Sequence, residues 1–453
     1  MISFQLALHG ESAAPGRRCR IPTQLIDLRT PVDRAVLVGA PSRSVSRDLA
    51  EEHLSELGRL TDTAGGRVVG ALMQKVDSPH PRFYVGEGKA QELAALVEDR
   101  EANLVIFDEE LSPAQGKSLE ELLGVRVMDR SELILDIFAT RARSREARMQ
   151  VELAQLQYLL PRLRRMWSHL SRIRGGIGLR GPGETQLETD RRLIGHRIGD
   201  LRRKLEDVAR ARAVQRKSRE GSYRAALVGY TNAGKSSLLR ALSGSELFVE
   251  DRLFATLDSA TRSVDLGAGY EILVTDTVGF IRKLPHHLVA SFRSTLEEAR
   301  EADVLLHVID ASHPDWEEQY EVVLEVLSDL DLTARDKILV FNKMDRLTSD
   351  EVESMRARVR AFDPTPAVFV SALDQGALEA LRATLRARVR ARLPRVVVRI
   401  PSSDGEAIAT VYREGEVVER LDEELKVALT ARVPVGVLGR LSGRAGVVVE
   451  EVA

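Results

Sequence analysis

The hydrophobic positions in the first third of the chain form two kinds of run. Short apolar runs such as 35–39 and 104–107 have the length of buried strands, and longer stretches with helical spacing, such as 46–60, separate them. Strands separated by helices predict a small parallel α/β domain that ends near residue 140. Residues 1–30 show no clear periodicity, and both an ordered arm and a frayed one fit their sequence.

Residues 141–218 follow a different pattern, in which apolar residues recur at alternating steps of four and three. The first arm has Met149, Leu153, Leu156, Leu160, Leu163, Trp167 and Leu170, and the second has Ile194, Ile198, Leu201, Leu205 and Val208. Such spacing predicts a coiled-coil seam. The glycine-rich segment 175–183 separates the arms, and a helix would not survive its glycines. We therefore predict an antiparallel helical hairpin with a glycine-rich tip.

After a short linker, the apolar run 225–228 predicts a buried strand, and helical spacing resumes directly beyond the next nine residues. Those nine contain the P-loop spacing. The residues predicted to cradle phosphates are Gly229, Tyr230, Thr231, Asn232, Ala233, Gly234, Lys235, Ser236 and Ser237. Backbone N–H groups of such a loop point at phosphate, and the helix N-terminus adds its dipole. Lys235 is predicted to reach the β and γ phosphates, and the Ser236 hydroxyl to ligate Mg²⁺.

Two further segments follow in the order that a GTPase requires. They are Phe254, Ala255, Thr256, Leu257 and Asp258, and then, after a predicted strand, Asp276, Thr277, Val278 and Gly279. The Thr256 hydroxyl is predicted to join Ser236 and Asp276 on Mg²⁺ when a γ phosphate is present. The Gly279 N–H would meet that phosphate, so Lys235, Thr256 and Gly279 form the predicted catalytic set.

Guanine recognition is predicted for two loops that follow apolar strands. The loop residues are Asn342, Lys343, Met344 and Asp345, and then Ser371, Ala372 and Leu373. The Asp345 carboxylate can accept hydrogen bonds from guanine N1–H and the N2 amine together, whereas adenine would leave it unpaired. Lys343 would lie along the purine face, Asn342 would tie the loops together, and a backbone N–H of the second loop would meet guanine O6.

Two positions bear on the rate of hydrolysis. Small signalling GTPases place a glutamine after the Asp-x-x-Gly segment to orient the attacking water, whereas this chain has Phe280 there. An apolar ring cannot orient water, so we predict slow hydrolysis unless a partner helps. Asn232 has two interpretations: it helps to hold K⁺ beside the phosphates, or its side chain stabilises the turn.

The last part of the chain alternates strand and helical patterns in an order that predicts a small ferredoxin-like α+β module. The fold class is therefore α/β, with a P-loop GTPase domain preceded by a parallel α/β domain and a hairpin. The predicted domains are 1–140, 141–218, 223–393 and 395–453.

Composition limits how the protein can bind nucleic acid and indicates the cellular compartment in which it works. The 453 residues include 66 Lys and Arg against 68 Asp and Glu, so any contact with nucleic acid must be local. The single cysteine, Cys19, excludes an internal disulfide and fits a reducing compartment. The sequence has no apolar run of membrane-spanning length and no signal-peptide core, which favours the cytoplasm. We expect no membrane span and a monomer.

The local positive charge lies around the hairpin tip. Residues 161–192 contain eight arginines against three acidic residues. A solvated helix face and a probe inserted among RNA phosphates both fit this run. The candidate RNA-binding residues are Arg172, Arg174, Gly178, Arg180, Gly181 and Gly183. A separate Gly-Glu-Gly-Lys segment at 86–89 is a weak signal, which a second nucleotide site or a structural helix cap would explain.

The combination of these motifs resembles the HflX family of GTPases. The resemblance rests on Gly-Pro-Gly-Glu-Thr-Gln-Leu-Glu at 181–188, Asp-Arg-Arg at 190–192, the P-loop, Phe-Ala-Thr-Leu-Asp and Asp-Thr-Val-Gly-Phe-Ile. It implies binding to the large ribosomal subunit and its RNA, splitting of stalled or stressed ribosomes, and hydrolysis stimulated by the ribosome. It also implies that the tip is an RNA probe directed toward the catalytic centre of the subunit. The alternative is a regulatory GTPase whose hairpin binds a protein partner.

Overall fold

The structure is a computed structural model that describes residues 32–166, 182–217, 222–245, 252–267, 269–284 and 298–451. The predicted RNA-binding residues Arg172, Arg174, Gly178, Arg180 and Gly181 lie outside these ranges, as does the unpatterned segment 1–30. Residues 33–451 belong to one compact unit. No helix in the described part of the chain combines the length and apolar character needed to cross a membrane.

The N-terminal domain is a four-stranded parallel sheet in the order β2-β1-β3-β4, as predicted. Its strands are β1 Arg34–Gly39, β2 Arg67–Met73, β3 Leu104–Phe107 and β4 Arg126–Asp129. Its helices are α1 Arg47–Thr63, α2 Glu87–Asp99, α3 Pro113–Leu123 and α4 Arg130–Arg141. Local signals define their ends: Ser112 and Gln115 form a capping box at α3, and Gly124 ends that helix with a positive φ.

The hairpin consists of α5 Arg145–Met166 and α6 Pro182–Lys217, and Gly183 lies in the first turn of α6. The predicted seam is present where the side chains are described, because Leu153 packs against Ile198 and Leu201. The seam residues Leu163, Trp167 and Leu170 lie outside the described side chains. Ion pairs from Glu152 to Arg197 and from Glu146 to Arg212 link the arms. The later residue of α6 pairs with the earlier residue of α5, so the arms are antiparallel, as predicted.

The GTPase domain has a six-stranded sheet in the order β10-β9-β8-β5-β7-β6, in which only β6 is antiparallel. Its strands are β5 Arg224–Gly229, β6 Ala260–Gly267, β7 Tyr270–Asp276, β8 Val304–Asp310, β9 Lys337–Asn342 and β10 Ala367–Phe369. The helices are α7 Lys235–Ser243, α8 Trp316–Asp329, α9 Ser349–Phe362 and α10 Glu379–Arg392. Central strand β5 therefore delivers the P-loop to the carboxyl edge of the sheet.

The C-terminal module is ferredoxin-like, as predicted. Its elements are β11 Arg395–Pro401, α11 Gly405–Glu414, β12 Glu416–Asp422, β13 Lys426–Arg432, α12 Val435–Ser442 and β14 Val448–Glu451. The sheet order is β12-β13-β11-β14 and every pair is antiparallel. Alternate residues of β11 (Val396, Val398 and Ile400) are fully buried against the helices.

One apolar core joins three parts of the molecule. It contains Phe138 at the end of α4, Val151 in the root of α5, and residues of the GTPase domain such as Phe254 and Phe280. The rings of Phe138 and Phe254 meet edge to face with their centroids 4.7 Å apart. The hairpin root is thus packed directly against the segments expected to sense the nucleotide.

Candidate nucleotide-binding site

Two glycines allow the P-loop to form at the end of β5. Gly229 has φ +150°, and a Cβ there would lie 2.2 Å from the carbonyl oxygen of Val308 on the neighbouring strand. Gly234 has φ +94°, and a Cβ there would lie 2.2 Å from Asn342 Nδ2 in the predicted base loop. Larger residues would therefore push the P-loop away from both neighbours.

Lys235 begins α7 and its ammonium lies inside the loop. Nζ donates hydrogen bonds to the carbonyl oxygens of Gly229 at 3.1 Å and Tyr230 at 2.8 Å. Burial lowers the pKa of Lys235 to about 8, and the charge of Asp276 only partly opposes that effect. An anion that enters the loop would compensate this buried charge, which is what a nucleotide phosphate supplies.

The three predicted metal ligands converge on one point. Ser236 Oγ donates to Asp276 Oδ2 at 2.5 Å and lies 2.5 Å from Thr256 Oγ1. Asp276 is buried, and its Oδ1 is a buried atom that finds no hydrogen-bond partner among the described residues. Burial raises the pKa of Asp276, and the nearby Lys235 works against that rise. Two hydroxyls and an orphaned carboxylate oxygen are hard donors that fit Mg²⁺.

The segment that starts at Asp276 passes close to the P-loop. A Cβ at Gly279 would lie 2.7 Å from Thr231 Cα and 3.1 Å from Lys235 Nζ, so only glycine fits there. These segments line one pocket, formed by Thr231, Asn232, Gly234, Lys235, Ser236, Ser237, Arg252, Phe254, Ala255, Thr256, Thr277 and Gly279. Sequence reasoning missed Arg252, whose only signal was a lone basic residue just before the Thr256 segment. Asn232 has φ +61°, the left-handed turn conformation that asparagine tolerates.

Five predicted nucleotide contacts point their side chains elsewhere. Leu257 and Val278 are buried in the core shared with the hairpin root, Ala233 is buried in the sheet core of the GTPase domain, and Tyr230 turns its side chain toward the N-terminal domain. Asp258 bonds to the start of α5 rather than to the pocket.

The predicted base loops are tied to the P-loop through Asn342. Its buried side chain donates from Nδ2 to the Ala233 carbonyl at 3.0 Å and accepts at Oδ1 from the Ala372 N–H at 3.0 Å. Asp345 Oδ1 accepts from Ser371 Oγ at 2.5 Å. These bonds hold the two loops beside each other, with Met344 half-buried and Leu373 exposed at their rim.

Lys343 lies between the phosphate and base ends of the site. It has φ +64°, and its ammonium pairs with Asp310 Oδ2 at 2.7 Å. That pair fixes the end of the Lys343 side chain; its position along the purine stays a prediction.

Phe280 contributes no polar group to the pocket. Its side chain is fully buried in the shared core. Its backbone N–H donates to the Gly229 carbonyl at 3.1 Å, and its carbonyl accepts from the Thr231 N–H at 2.7 Å. The residue after Gly279 thus anchors the P-loop through its backbone while its ring faces away from the reacting phosphate.

Sequence reasoning missed a second charged site, which we term the interdomain ion cluster and define by Glu56, Asp108, Arg130 and Arg282. All four are at most 6 % exposed. Arg282 follows the Asp276–Gly279 segment in the GTPase domain, and the other three belong to the N-terminal domain. Because the members come from four separate segments, no local motif signals them.

The geometry of the cluster is dense. Arg282 donates from both terminal nitrogens to Asp108, at 3.0 and 2.9 Å, and Arg130 donates to the same carboxylate at 2.9 Å. Arg130 also bonds to Glu56. Burial opposes ionisation of Asp108, but the two guanidinium groups outweigh it and lower the pKa of its carboxyl. The P-loop joins the cluster, because the Tyr230 hydroxyl donates to Glu56 at 2.5 Å.

The structure bears on two smaller expectations, one about Arg162 and one about the 86–89 segment. Arg162, one of the eight arginines near the tip, donates to the Leu111 carbonyl and to Asp129, both at 3.0 Å, and its guanidinium lies 3.5 Å from the centroid of the Tyr158 ring. Its charge is therefore used to fix the hairpin to the N-terminal domain. In the 86–89 segment, Gly86 is the N-cap of α2 and Lys89 pairs with Glu92, which agrees with the structural-cap interpretation.

Three family models match parts of the chain. Residues 51–139 match the family model described as GTP-binding GTPase N-terminal, residues 141–219 match GTP-binding GTPase Middle Region, and residues 224–343 match 50S ribosome-binding GTPase. A solved GTP-binding protein from Sulfolobus solfataricus in complex with GDP is 25% identical, with a TM-score of 0.42 over 79% of this chain and 98% of that one.

Curated relatives extend over most of the chain. The GTPase HflX of Magnetococcus marinus is 45% identical over 91% of this chain and 95% of its own length. The GTPase HflX of Caldanaerobacter subterraneus is 52% identical over 70% of this chain and 73% of its own length. The GTPase HflX of Escherichia coli is 42% identical over 86% of this chain and 92% of its own length. With the P-loop and the GTPase domain in place, this chain is a GTP-binding and GTP-hydrolysing protein that belongs to the HflX family of GTPases.

Proposed function

We propose that this GTPase associates with the large ribosomal subunit and its RNA and splits stalled or stressed ribosomes in the cytoplasm. The observation that carries the proposal is the direct packing of the nucleotide-sensing segments against the root of a hairpin whose sequence is rich in arginine near its tip. Family membership supports the same partner, since the matching model for residues 224–343 is described as a 50S ribosome-binding GTPase. The four predicted domains, 1–140, 141–218, 223–393 and 395–453, remain our proposed division, acting in one monomer.

The proposed roles in the pocket follow the geometry. Lys235 neutralises the β and γ phosphates, the backbone of Gly279 meets the γ phosphate, and Ser236, Thr256 and Asp276 hold Mg²⁺. The ion would supply a positive charge between the phosphates. We propose that Asp345 selects guanine and that Asn232, which lines the pocket, takes part in a K⁺ site.

The buried ring of Phe280 supports our proposal that intrinsic hydrolysis is slow. The residue that would orient water in small GTPases has no polar group here, so the ribosome must supply that function. Steady-state hydrolysis measured alone and with large subunits tests this step. Fast turnover by the isolated protein, unaltered by subunits, would refute it.

The tip of the hairpin is the proposed RNA contact, through Arg172, Arg174 and Arg180 with the glycines 178, 181 and 183. Arginine binds phosphates in pairs of hydrogen bonds and stacks on exposed bases. Replacement of 176–182 by a Gly-Ser turn should abolish splitting while GTP affinity stays unchanged, because the pocket lies elsewhere. Light scattering reports subunit dissociation, and wild-type splitting by this variant would make the hairpin a spacer.

A protein partner for the hairpin is the second candidate. Three apolar side chains on its arms, Leu159, Leu193 and Val214, are between 44% and 71% exposed. Sedimentation with purified ribosomes and subunits, in GTP, GDP and a non-hydrolysable analogue, separates the candidates. RNA binding through phosphates should weaken log-linearly with salt, whereas an apolar protein contact should not. Absence of ribosome binding in all nucleotide states would overturn the ribosomal proposal.

A further inference from the structure

The first turn of α5 depends on a residue from the GTPase domain. Ser144 is the residue before the helix, and its Oγ accepts from the Ala147 N–H at 3.0 Å, as an N-cap does. Asp258 Oδ2 accepts from the N–H groups of Arg143 at 3.1 Å and Ser144 at 3.2 Å, and Asp258 Oδ1 accepts from Ser144 Oγ. One carboxylate thus serves three donors at the positive end of the helix.

Asp258 lies only two residues beyond Thr256. The Thr256 hydroxyl is 2.5 Å from Ser236 Oγ, where Mg²⁺ would bind. Two residues of extended chain span about 7 Å, so a movement of Thr256 must be passed on to Asp258. The other end of the segment is also fixed, because the Phe254 N–H donates to Thr231 Oγ1 in the P-loop at 2.9 Å.

Apolar packing also links the Thr256 segment to α5. Leu253, Phe254 and Leu257 are each at most 6% exposed and share one core with the α5 residues Val151 and Tyr158. A shift of the Thr256 segment would therefore disturb both the polar cap and the packing of the hairpin root. Packed cores respond to such shifts by adopting discrete alternatives rather than by deforming gradually.

We propose that Asp258 is a positioning residue that couples the nucleotide state of the pocket to the order of the hairpin root. With GTP and Mg²⁺ bound, Thr256 is held at the metal and Asp258 caps α5. After loss of the γ phosphate Thr256 is released, and the cap weakens with it. Coupling is reciprocal, so a partner that fixes the hairpin raises the affinity for GTP over GDP. The proposal rests on the nucleotide site and is independent of the ribosomal partner.

Hydrogen exchange of the isolated full-length protein tests the coupling. In wild type, a non-hydrolysable GTP analogue with Mg²⁺ should slow exchange of amides 143–149 relative to GDP by about fivefold, the factor that one helix cap is worth. Asp258→Ala should reduce that difference to less than about twofold. Asp258→Asn keeps an acceptor oxygen but loses the charge, so its exchange difference should lie between those of wild type and Asp258→Ala.

A second cap in the same domain provides the matched control. Thr348 caps α9 through a capping box with Glu351, and α9 contributes none of the residues that line the nucleotide pocket. Thr348→Ala should raise exchange at the start of α9 and leave the nucleotide-dependent difference at 143–149 at its wild-type size. A general loss of stability would instead affect both helices in both variants.

Nucleotide affinity gives an independent readout. With fluorescent analogues, Asp258→Ala should weaken binding of the GTP analogue by about fivefold and binding of GDP by less than about twofold, because only the former uses the capped state. If neither nucleotide binds, the nucleotide site itself is wrong. If both bind and Asp258→Ala keeps the full wild-type exchange difference and affinity ratio, the coupling is overturned while the nucleotide site stands.

Discussion

The nucleotide pocket and the interdomain ion cluster both bury charge at the same edge of the GTPase sheet, yet they differ in how that charge is satisfied. In the cluster, two guanidinium groups face two carboxylates within hydrogen-bonding distance, although Nε of each arginine is buried without a hydrogen-bond partner among the described residues. In the pocket, Lys235 bonds only to backbone carbonyls, and Asp276 Oδ1 is unpaired among the described residues. The charges of the cluster pair with each other, so the cluster is a joint that holds the two domains together. The buried charges of the pocket lack such partners and can be satisfied by a bound ligand.

The difference also explains what each site does to stability. Charges that satisfy each other fix the two domains in one arrangement, and removal of one partner leaves a buried charge uncompensated. Buried charges that only a ligand can pair lower the stability of the ligand-free protein. Variants of the two sites should therefore change stability in opposite directions.

The largest effect is expected for Arg282→Ala. It leaves Asp108 and Glu56 short of a cation in a buried site and should cost about 3–5 kcal/mol of stability. Thermal and urea unfolding measure this. Arg390→Ala is the control: that side chain is 51% exposed and pairs with Glu416 at 2.8 Å, so its loss should cost less than about 1 kcal/mol. Equal losses for both would show that the cluster is not a joint.

Lys235→Met should act in the opposite sense. The methionine keeps the volume of the buried side chain but removes the charge, so nucleotide affinity should fall roughly hundredfold. The melting temperature of the ligand-free protein should stay the same or rise, because burial holds the pKa of Lys235 down at about 8 and so disfavours its charge. Titration with fluorescent GDP and thermal melts without nucleotide measure both. A large drop in ligand-free stability would contradict the contrast between the sites.

Low pH should weaken the cluster through Asp108. Its folded pKa is lowered from the ordinary value of 3.8, so its contribution to stability is present above that value and is lost as pH falls below it toward the folded pKa. Wild type should therefore be more stable than Asp108→Asn at pH 7, and the gap should narrow below about pH 4. Urea unfolding at several pH values measures the gap, and a gap that is constant with pH would exclude Asp108 as its source.

The smallest effect is expected for Tyr230→Phe, which joins the two sites. The hydroxyl donates to Glu56 at 2.5 Å and accepts from the Arg282 N–H at 3.1 Å. Its removal should cost about 1–3 kcal/mol of stability and change GDP affinity less than Lys235→Met does. The melting temperature and the GDP titration are read on the same protein. A loss of GDP affinity without a loss of stability would assign Tyr230 to the pocket instead.

The sequence reveals these two sites to different extents for a physical reason. The P-loop, the metal ligands and the base loops lie in short segments with fixed spacing, because a backbone that wraps a phosphate must be contiguous. Helical and strand periodicity likewise predicted the three sheets and the hairpin seam. Glu56, Asp108, Arg130 and Arg282 meet only in the folded chain, up to 226 positions apart by their numbers, and no local pattern marks them.

Asp258 and Arg162 show a subtler limit. Asp258 belongs to a nucleotide motif by spacing, yet its carboxylate caps α5. Arg162 belongs to a basic run by composition, yet it is bound to Asp129 and stacked on Tyr158. Sequence alone states that a charged side chain is present, whereas its partner depends on the packing of helices from other segments.

The length of α6 determines how far a movement at the pocket end of the hairpin is carried. Its 36 residues make a rod about 54 Å long at 1.5 Å per residue. A tilt of about 5° at the root would move the far end of such a rod by about 5 Å, the rise of one helical turn. A displacement at the pocket end of the hairpin that is too small to break a strand pairing would thus become a step of about one helical turn at the far end of α6.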